Sequence, residues 1–171
     1  MQDYLIVDGY NIIYAWPQFE RFTSSEIEHA RSRLVAILAD YASVQGQKVV
    51  VVFDAYRRKS AADRTEFDSG VEVIYTKHGE TADTLIERLA GELLTQGNVY
   101  VATSDWAEQG IIFGRGAYRI TPGELLTRVN EVKAASKKLM EMSGPLDNYL
   151  ENRLNNGDIR QKLEQWRRSK E

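Results

Sequence analysis

Residues 48–54 read Lys-Val-Val-Val-Val-Phe-Asp, an apolar run five residues long that closes on an acid. A strand with one wet face alternates apolar and polar positions. A run without alternation is buried on both faces, the pattern of a parallel sheet held between helices. Two further apolar runs end in the same way. Tyr4-Leu5-Ile6-Val7 is closed by Asp8, and the segment Val99 to Ser104 leads into Asp105. In an open parallel sheet the carboxyl ends of the strands share one rim, and ligands bind there.

Between these runs the apolar spacing changes to that of helices. Ile27, Ala30, Leu34, Ile37, Leu38 and Tyr41 form one stripe, with Ser25 and Glu28 as a capping box and Gln45-Gly46-Gln47 as the stop. Val71 to Thr76 reads as a third strand. Ala82, Leu85, Ile86, Leu89 and Leu93 mark a second amphipathic helix, broken at Gly97-Asn98. Val99 to Thr103 is a fourth strand, and Ser104 is placed to cap a short helix after it. Ala117 to Ile120 is a short fifth strand. Thr121-Pro122-Gly123-Glu124 starts another helix, with Thr as the cap and Pro at the first helical position. Gly9-Tyr10-Asn11 reads as a tight turn, and the stretch from Arg57 to Gly70 as a polar, basic connection. Alternating strands and helices predict an α/β protein of three layers, a central parallel sheet flanked by helices. Right-handed crossovers put the strand ends on one rim. Residues 1–130 are expected to form this domain. Residues 131–171 are expected to form a helical, basic extension, interrupted at Ser143-Gly144-Pro145 and Asn155-Asn156-Gly157.

Composition excludes several classes. The chain has no cysteine, so disulfides, thiolate nucleophiles and zinc-thiolate sites are out. No apolar stretch reaches membrane-spanning length, so no membrane role is expected. Gln2 and Asp3 precede the first strand in place of a basic, then apolar, leader, so no signal peptide is expected. A net charge of −3 argues against strong nonspecific binding to nucleic acid. A local basic excess from Arg128 onward leaves room for a presented RNA. No glycine-rich phosphate loop occurs.

Asp83 lies in Gly79-Glu80-Thr81-Ala82-Asp83, where the second helix begins. With Asp8, Asp54 and Asp105 it brings a fourth carboxylate to the rim. Carboxylates gathered together repel unless a cation sits among them, and hard cations such as Mg²⁺ and Mn²⁺ take oxygen ligands. Asp8, Asp54, Asp83 and Asp105 are together the candidate metal site, and Asn11 can point back to the same rim to orient a metal-bound water or a phosphate oxygen. Glu80 and Asp83 also suit the positive end of a helix dipole, and Ser104-Asp105 suits a helix start. Convergence of four such acids on one rim favours a site. Arg57, Arg58, Lys59 and Lys77 are candidates to hold an RNA backbone. His78 is a weaker candidate base. Tyr14, Trp16 and Trp106 are aromatic candidates for stacking, with packing the stronger expectation for all three, and Trp166 with Arg167 and Arg168 marks either a docking face or a helix packed back on the body.

A signalling receiver needs an acidic pair at the first strand, but Asp8 is followed by Gly9. A phosphatase with acids two apart would need an acid where Tyr10 stands. The motifs in order, Leu5-Ile6-Val7-Asp8-Gly9-Tyr10-Asn11, Val52-Phe53-Asp54, Glu80-Thr81-Ala82-Asp83 and Ala102-Thr103-Ser104-Asp105, resemble the NYN-domain branch of the PIN-like ribonucleases. More narrowly they resemble the YacP-like, ribosome-associated endoribonucleases of bacteria and plastids. The resemblance covers most of the chain, from the first strand into the helix after Thr121. It implies a PIN-like fold with an acidic metal pocket in which Asp8 and Asp83 are the principal ligands, Asp54, Glu80 and Asp105 complete the pocket, and Asn11 assists. On that basis Asp8, Asp83 and Asp105 are the expected metal ligands, and Asp54 or Glu80 is expected to hold the outer shell or orient the water. It also implies cleavage of messenger RNA engaged by ribosomes, in the cytoplasm or a plastid stroma. The expected activity is metal-dependent endonucleolytic hydrolysis of RNA. The alternative is a non-catalytic ribosome- or RNA-binding module with a vestigial pocket.

Overall fold

The structure is a computed structural model that describes residues 2–54, 65–77, 79–104 and 116–143. The chain divides into two compact units, Met1–Val132 and Lys133–Glu171. The sheet and its covering helices belong to the first. Of the second, the described part is the end of a helix.

Six strands form one sheet in the order β3-β4-β2-β1-β5-β6. They are β1 (Gln2–Asp8), β2 (Lys48–Phe53), β3 (Thr65–Asp68), β4 (Val71–Tyr75), β5 (Gly97–Ala102) and β6 (Tyr118–Ile120). All neighbours pair in parallel except β3 with β4. Among the described residues the helices are α1 (Gly9–Ala15), α2 (Ile27–Gln45), α3 (Ala82–Leu93) and α4 (Pro122–Ser143), with 3-10 turns at Pro17–Phe19 and Ser24–Glu26. No helix among the described residues is long and apolar enough to cross a membrane.

The strands' two-residue period divides their side chains between two cores. Leu5, Val7, Val49, Val51 and Phe53 face α1, α2 and the first turns of α4. Tyr4, Ile6, Val50, Val52, Val99 and Val101 face α3. Both faces are therefore dry, as the run at 48–54 predicts, and each fully buried side chain contributes roughly 1.5–3 kcal/mol. A strand apolar on both faces is not held in register by its pattern alone. A specific contact at the end of β2, described below, does that locally.

Helix boundaries follow their chemistry. Gly46 closes α2 in the left-handed conformation, φ 65°, with its N–H on Ala42 O. Thr121 caps α4 as expected: its Oγ1 accepts the Glu124 N–H at 3.2 Å and its own N–H donates to Glu124 Oε2 at 2.6 Å. The backbone hydrogen bond from Thr121, chiefly, holds the Glu124 carboxyl below its ordinary value. Trp16 is buried, and its Nε1–H donates to Pro122 O at 2.8 Å, fastening the segment after α1 to the start of α4.

Three local expectations are corrected. The capping box before α2 is Thr23 with Glu26, two residues earlier than Ser25 with Glu28, because a 3-10 turn precedes the helix. Gly9-Tyr10-Asn11 is the first turn of α1, not a free turn. Residues 65–68 form the antiparallel edge strand β3, joined to β4 by Ser69 and Gly70. Those two residues have φ 51° and 89°, the twist that a two-residue hairpin needs.

Candidate active site

Five parallel strands end on one rim. Asp8 is level with Val52 of β2, and Asp54 stands two residues beyond. Thr76 and Thr103 extend neighbouring ladders past the last strand residues, with Thr76 N–H on Phe53 O at 3.0 Å and Thr103 N–H on Ile120 O at 3.3 Å. From β1 the chain moves through α1 and α2 to β2. It returns from β4 through α3, on the opposite face, to β5 at β1's other edge. The strand order thus reverses at β1/β5, where open α/β sheets place their ligand crevice.

Asp8 sits at that reversal and is 9% exposed. It caps α1: its backbone is extended, and its Oδ1 accepts the Asn11 N–H at 3.2 Å. Asn11 spans the crevice. Its Oδ1 accepts both the N–H and the hydroxyl of Ser104, each at 2.9 Å. Those donors occupy the carbonyl, so the side-chain NH₂ is what Asn11 can offer to a ligand. Asn11→Ala is expected to lower stability by about 1–2 kcal/mol, the worth of two partly exposed hydrogen bonds. Asn11→Asp, which keeps the acceptor, should lose less. Urea midpoints of the two variants check this.

Gly9 is explained by space. A Cβ there would lie 2.2 Å from Cε1 of Phe53, the last residue of β2, whose ring is fully buried. The bare backbone of α1's first turn rests on that ring. Turning the chain after Asp8, the role expected from sequence, is secondary to this contact.

Under the rim lies a residue that the sequence reading passed over. Arg31 of α2 is 2% exposed. Its Nη1 donates to the Tyr10 hydroxyl at 2.7 Å, and it pairs with Glu28. The guanidinium lies 5.9 Å from the Phe53 ring centroid and 5.7 Å from that of Tyr75. Arg31 thus fastens the turn that Asp8 caps. The signal was present, since positions 27, 30, 31 and 34 lie on one helix face.

Glu80 and Asp83 sit at the start of the helix that follows β4. Thr81 caps α3, accepting the Thr84 N–H at 3.2 Å. Asp83 is in the first turn and exposed. Glu80 is half-buried and pairs with Arg88 at 3.0 Å. With the Arg88 end exposed, the pair is worth about 1 kcal/mol, so Glu80 can be recruited elsewhere cheaply. Asp54 is partly buried, and Lys77, just past Thr76, is exposed. Asp105, Arg57, Arg58, Lys59, His78, Trp106 and Trp166 lie outside the described residues.

Among the described residues, no three His, Cys, Asp or Glu side chains stand close enough to hold one metal ion. The donor chemistry still suits a hard cation. Every acid at the rim offers carboxylate oxygen, and Mg²⁺ is commonly held by one or two carboxylates, completed by water and substrate phosphate.

A parallel sheet between helix layers, with Asp8 and Asp54 ending adjacent strands, is the architecture of PIN-like nuclease folds. The family profile described as YacP-like NYN domain matches residues 5–168, and the chain belongs to that family. YacP of Bacillus subtilis (strain 168) is 45% identical over 134 residues, 77% of each chain. A crystal structure of Rae1 (YacP) from Bacillus subtilis matches with a TM-score of 0.73 at 37% identity, covering 98% of this chain and 95% of that one. A single-substitution variant of Rae1 matches with a TM-score of 0.71 at 42% identity over 80% of each chain.

Proposed function

We propose that the protein is a metal-dependent endoribonuclease that hydrolyses RNA phosphodiester bonds, with messenger RNA on translating ribosomes as its substrate. The observation that carries this reading is Asp8. It is a nearly buried carboxylate at the end of the central strand, at the point where the strand order reverses. Membership of the YacP-like NYN-domain family supports it.

In this reading Asp8, Asp83 and Asp105 hold Mg²⁺ or Mn²⁺. When bound, such an ion lowers the pKa of water and neutralises charge on phosphoryl oxygens. Asp54 and Glu80 orient the attacking water from the neighbouring strand end and from the entry to α3. Asn11, its carbonyl engaged by Ser104, donates its NH₂ hydrogens to a phosphate oxygen. Arg57, Arg58, Lys59 and Lys77 hold the RNA backbone on either side. A chain with net charge −3 gains little from long-range attraction to free RNA, which suits a substrate delivered by the ribosome.

The test is cleavage of messenger RNA in a reconstituted translation mixture, beside the same RNA naked. Wild type should cut only during translation, and EDTA or Asp83→Asn should suppress the cuts. Cleavage of naked RNA alone makes it a general ribonuclease. Co-sedimentation with ribosomes and no cleavage favours a binding module.

A further inference from the structure

Beside α1, on the side away from Asp8, lies a pocket that the proposed reaction does not use. Its volume is about 340 Å³, and its walls include Tyr14, Phe19, Glu20, Phe22, Ser24 and Ile27. The pocket stands at rim height. Arg31, in the second turn of α2, packs against Phe53 and Tyr75, the last residues of β2 and β4. Ile27, one turn earlier, therefore stands past the strand ends.

Aromatic rings lead from the rim to this pocket. The Phe53 and Tyr10 centroids are 5.1 Å apart, and Tyr10 stacks on Tyr14 at 6.4 Å. Phe19 and Phe22, also among its lining residues, lie 5.9 Å apart. Tyr14 is 59% exposed, unusual for a large ring that has a core beside it. Glu20 and Ser24 supply polar atoms, and neither side chain has a hydrogen bond to another described residue.

We propose that this pocket is a base-binding subsite that takes one unstacked nucleobase of the RNA, with guanine favoured. The inference rests on the reading of the protein as an RNA nuclease and adds where the strand is gripped. Proteins that read single-stranded RNA stack its bases on aromatic side chains and hydrogen-bond their edges. The volume lies at the small end of ligand pockets, suited to one ring system. Guanine turns two N–H donors, on N1 and N2, toward a single carboxylate. No other base matches Glu20 in that way. The five residue steps from Asp8 to Ile13 span about 8 Å along α1, short enough for a neighbouring nucleotide of the strand held at Asp8.

The test is fluorescence anisotropy with the full chain in EDTA, where no cleavage is expected. The probes are a short labelled oligouridine and the same oligomer with one central guanine. The guanine oligomer should bind more tightly to wild type. Tyr14→Ala should weaken both by about 5–20-fold. Glu20→Gln should erase the guanine preference and leave oligouridine binding unchanged. Both residues are exposed, so folding is not at stake. Variants that bind both oligomers as wild type does overturn the subsite and leave the nuclease reading standing. Absence of binding to either oligomer also overturns the subsite. Cleavage in the translation mixture then decides separately whether the nuclease reading falls with it.

Discussion

Asp8→Asn is expected to lower the cleavage rate by about 10³-fold or more, a loss of ~4 kcal/mol of transition-state stabilisation. It should leave the fold unharmed. Asparagine caps helices as well as aspartate does, and its Oδ1 can keep the 3.2 Å hydrogen bond from the Asn11 N–H. The volume is nearly unchanged. What disappears is one negative charge at a site 9% exposed. With cap and volume kept, thermal unfolding of the variant should stay close to that of wild type. Titration with Mn²⁺ by calorimetry should show weakened binding. A folded Asp8→Asn protein that cuts at the wild-type rate removes Asp8 from the chemistry.

Gly9→Ala should act the other way, on the scaffold. The added methyl meets the Phe53 ring at 2.2 Å, and that ring is held by Tyr10, Tyr75 and Arg31. Alanine is the better helix former, so a local reading would call the change stabilising. Overpacking a filled core costs about 1–3 kcal/mol, which outweighs that gain. Urea unfolding should show the loss. Phe53→Leu makes room, so in that background Gly9→Ala should cost far less. The double-mutant cycle isolates the contact. Equal costs in both backgrounds would mean that the ring is not the obstacle.

The layered fold was legible because strand and helix periods are global signals. Val49 to Phe53 had to be buried on both sides, and the stripes at 27–41 and 82–93 had to cover the sheet. The strand ends bearing Asp8 and Asp54 followed directly. β3 was not legible. Four residues reading Thr-Glu-Phe-Asp carry no core pattern, since the edge strand buries almost nothing, and its pairing is set by the Ser69-Gly70 hairpin. Gly9 was noticed for the wrong reason, because a ring 44 positions away cannot be seen locally. Arg31 was passed over because its charge spoke for the surface, while its place on the apolar stripe spoke for the core. Asp8 fits both roles weighed for such residues: it caps a helix, and it stands where a ligand is expected.

The pairing of β1 also sets an order in time. Tyr4 pairs with Lys48 on one side and with Val99 on the other. The second partner comes 95 positions later. At ribosomal speeds of about 5–20 residues per second, the strand that ends in Asp8 waits roughly 5–20 s for its second neighbour. Ser104, which locks Asn11 across the crevice, comes later still. The pocket around Asp8 is thus among the last parts of the sheet to close, and a half-made chain carries its acids without the walls that would put them to use.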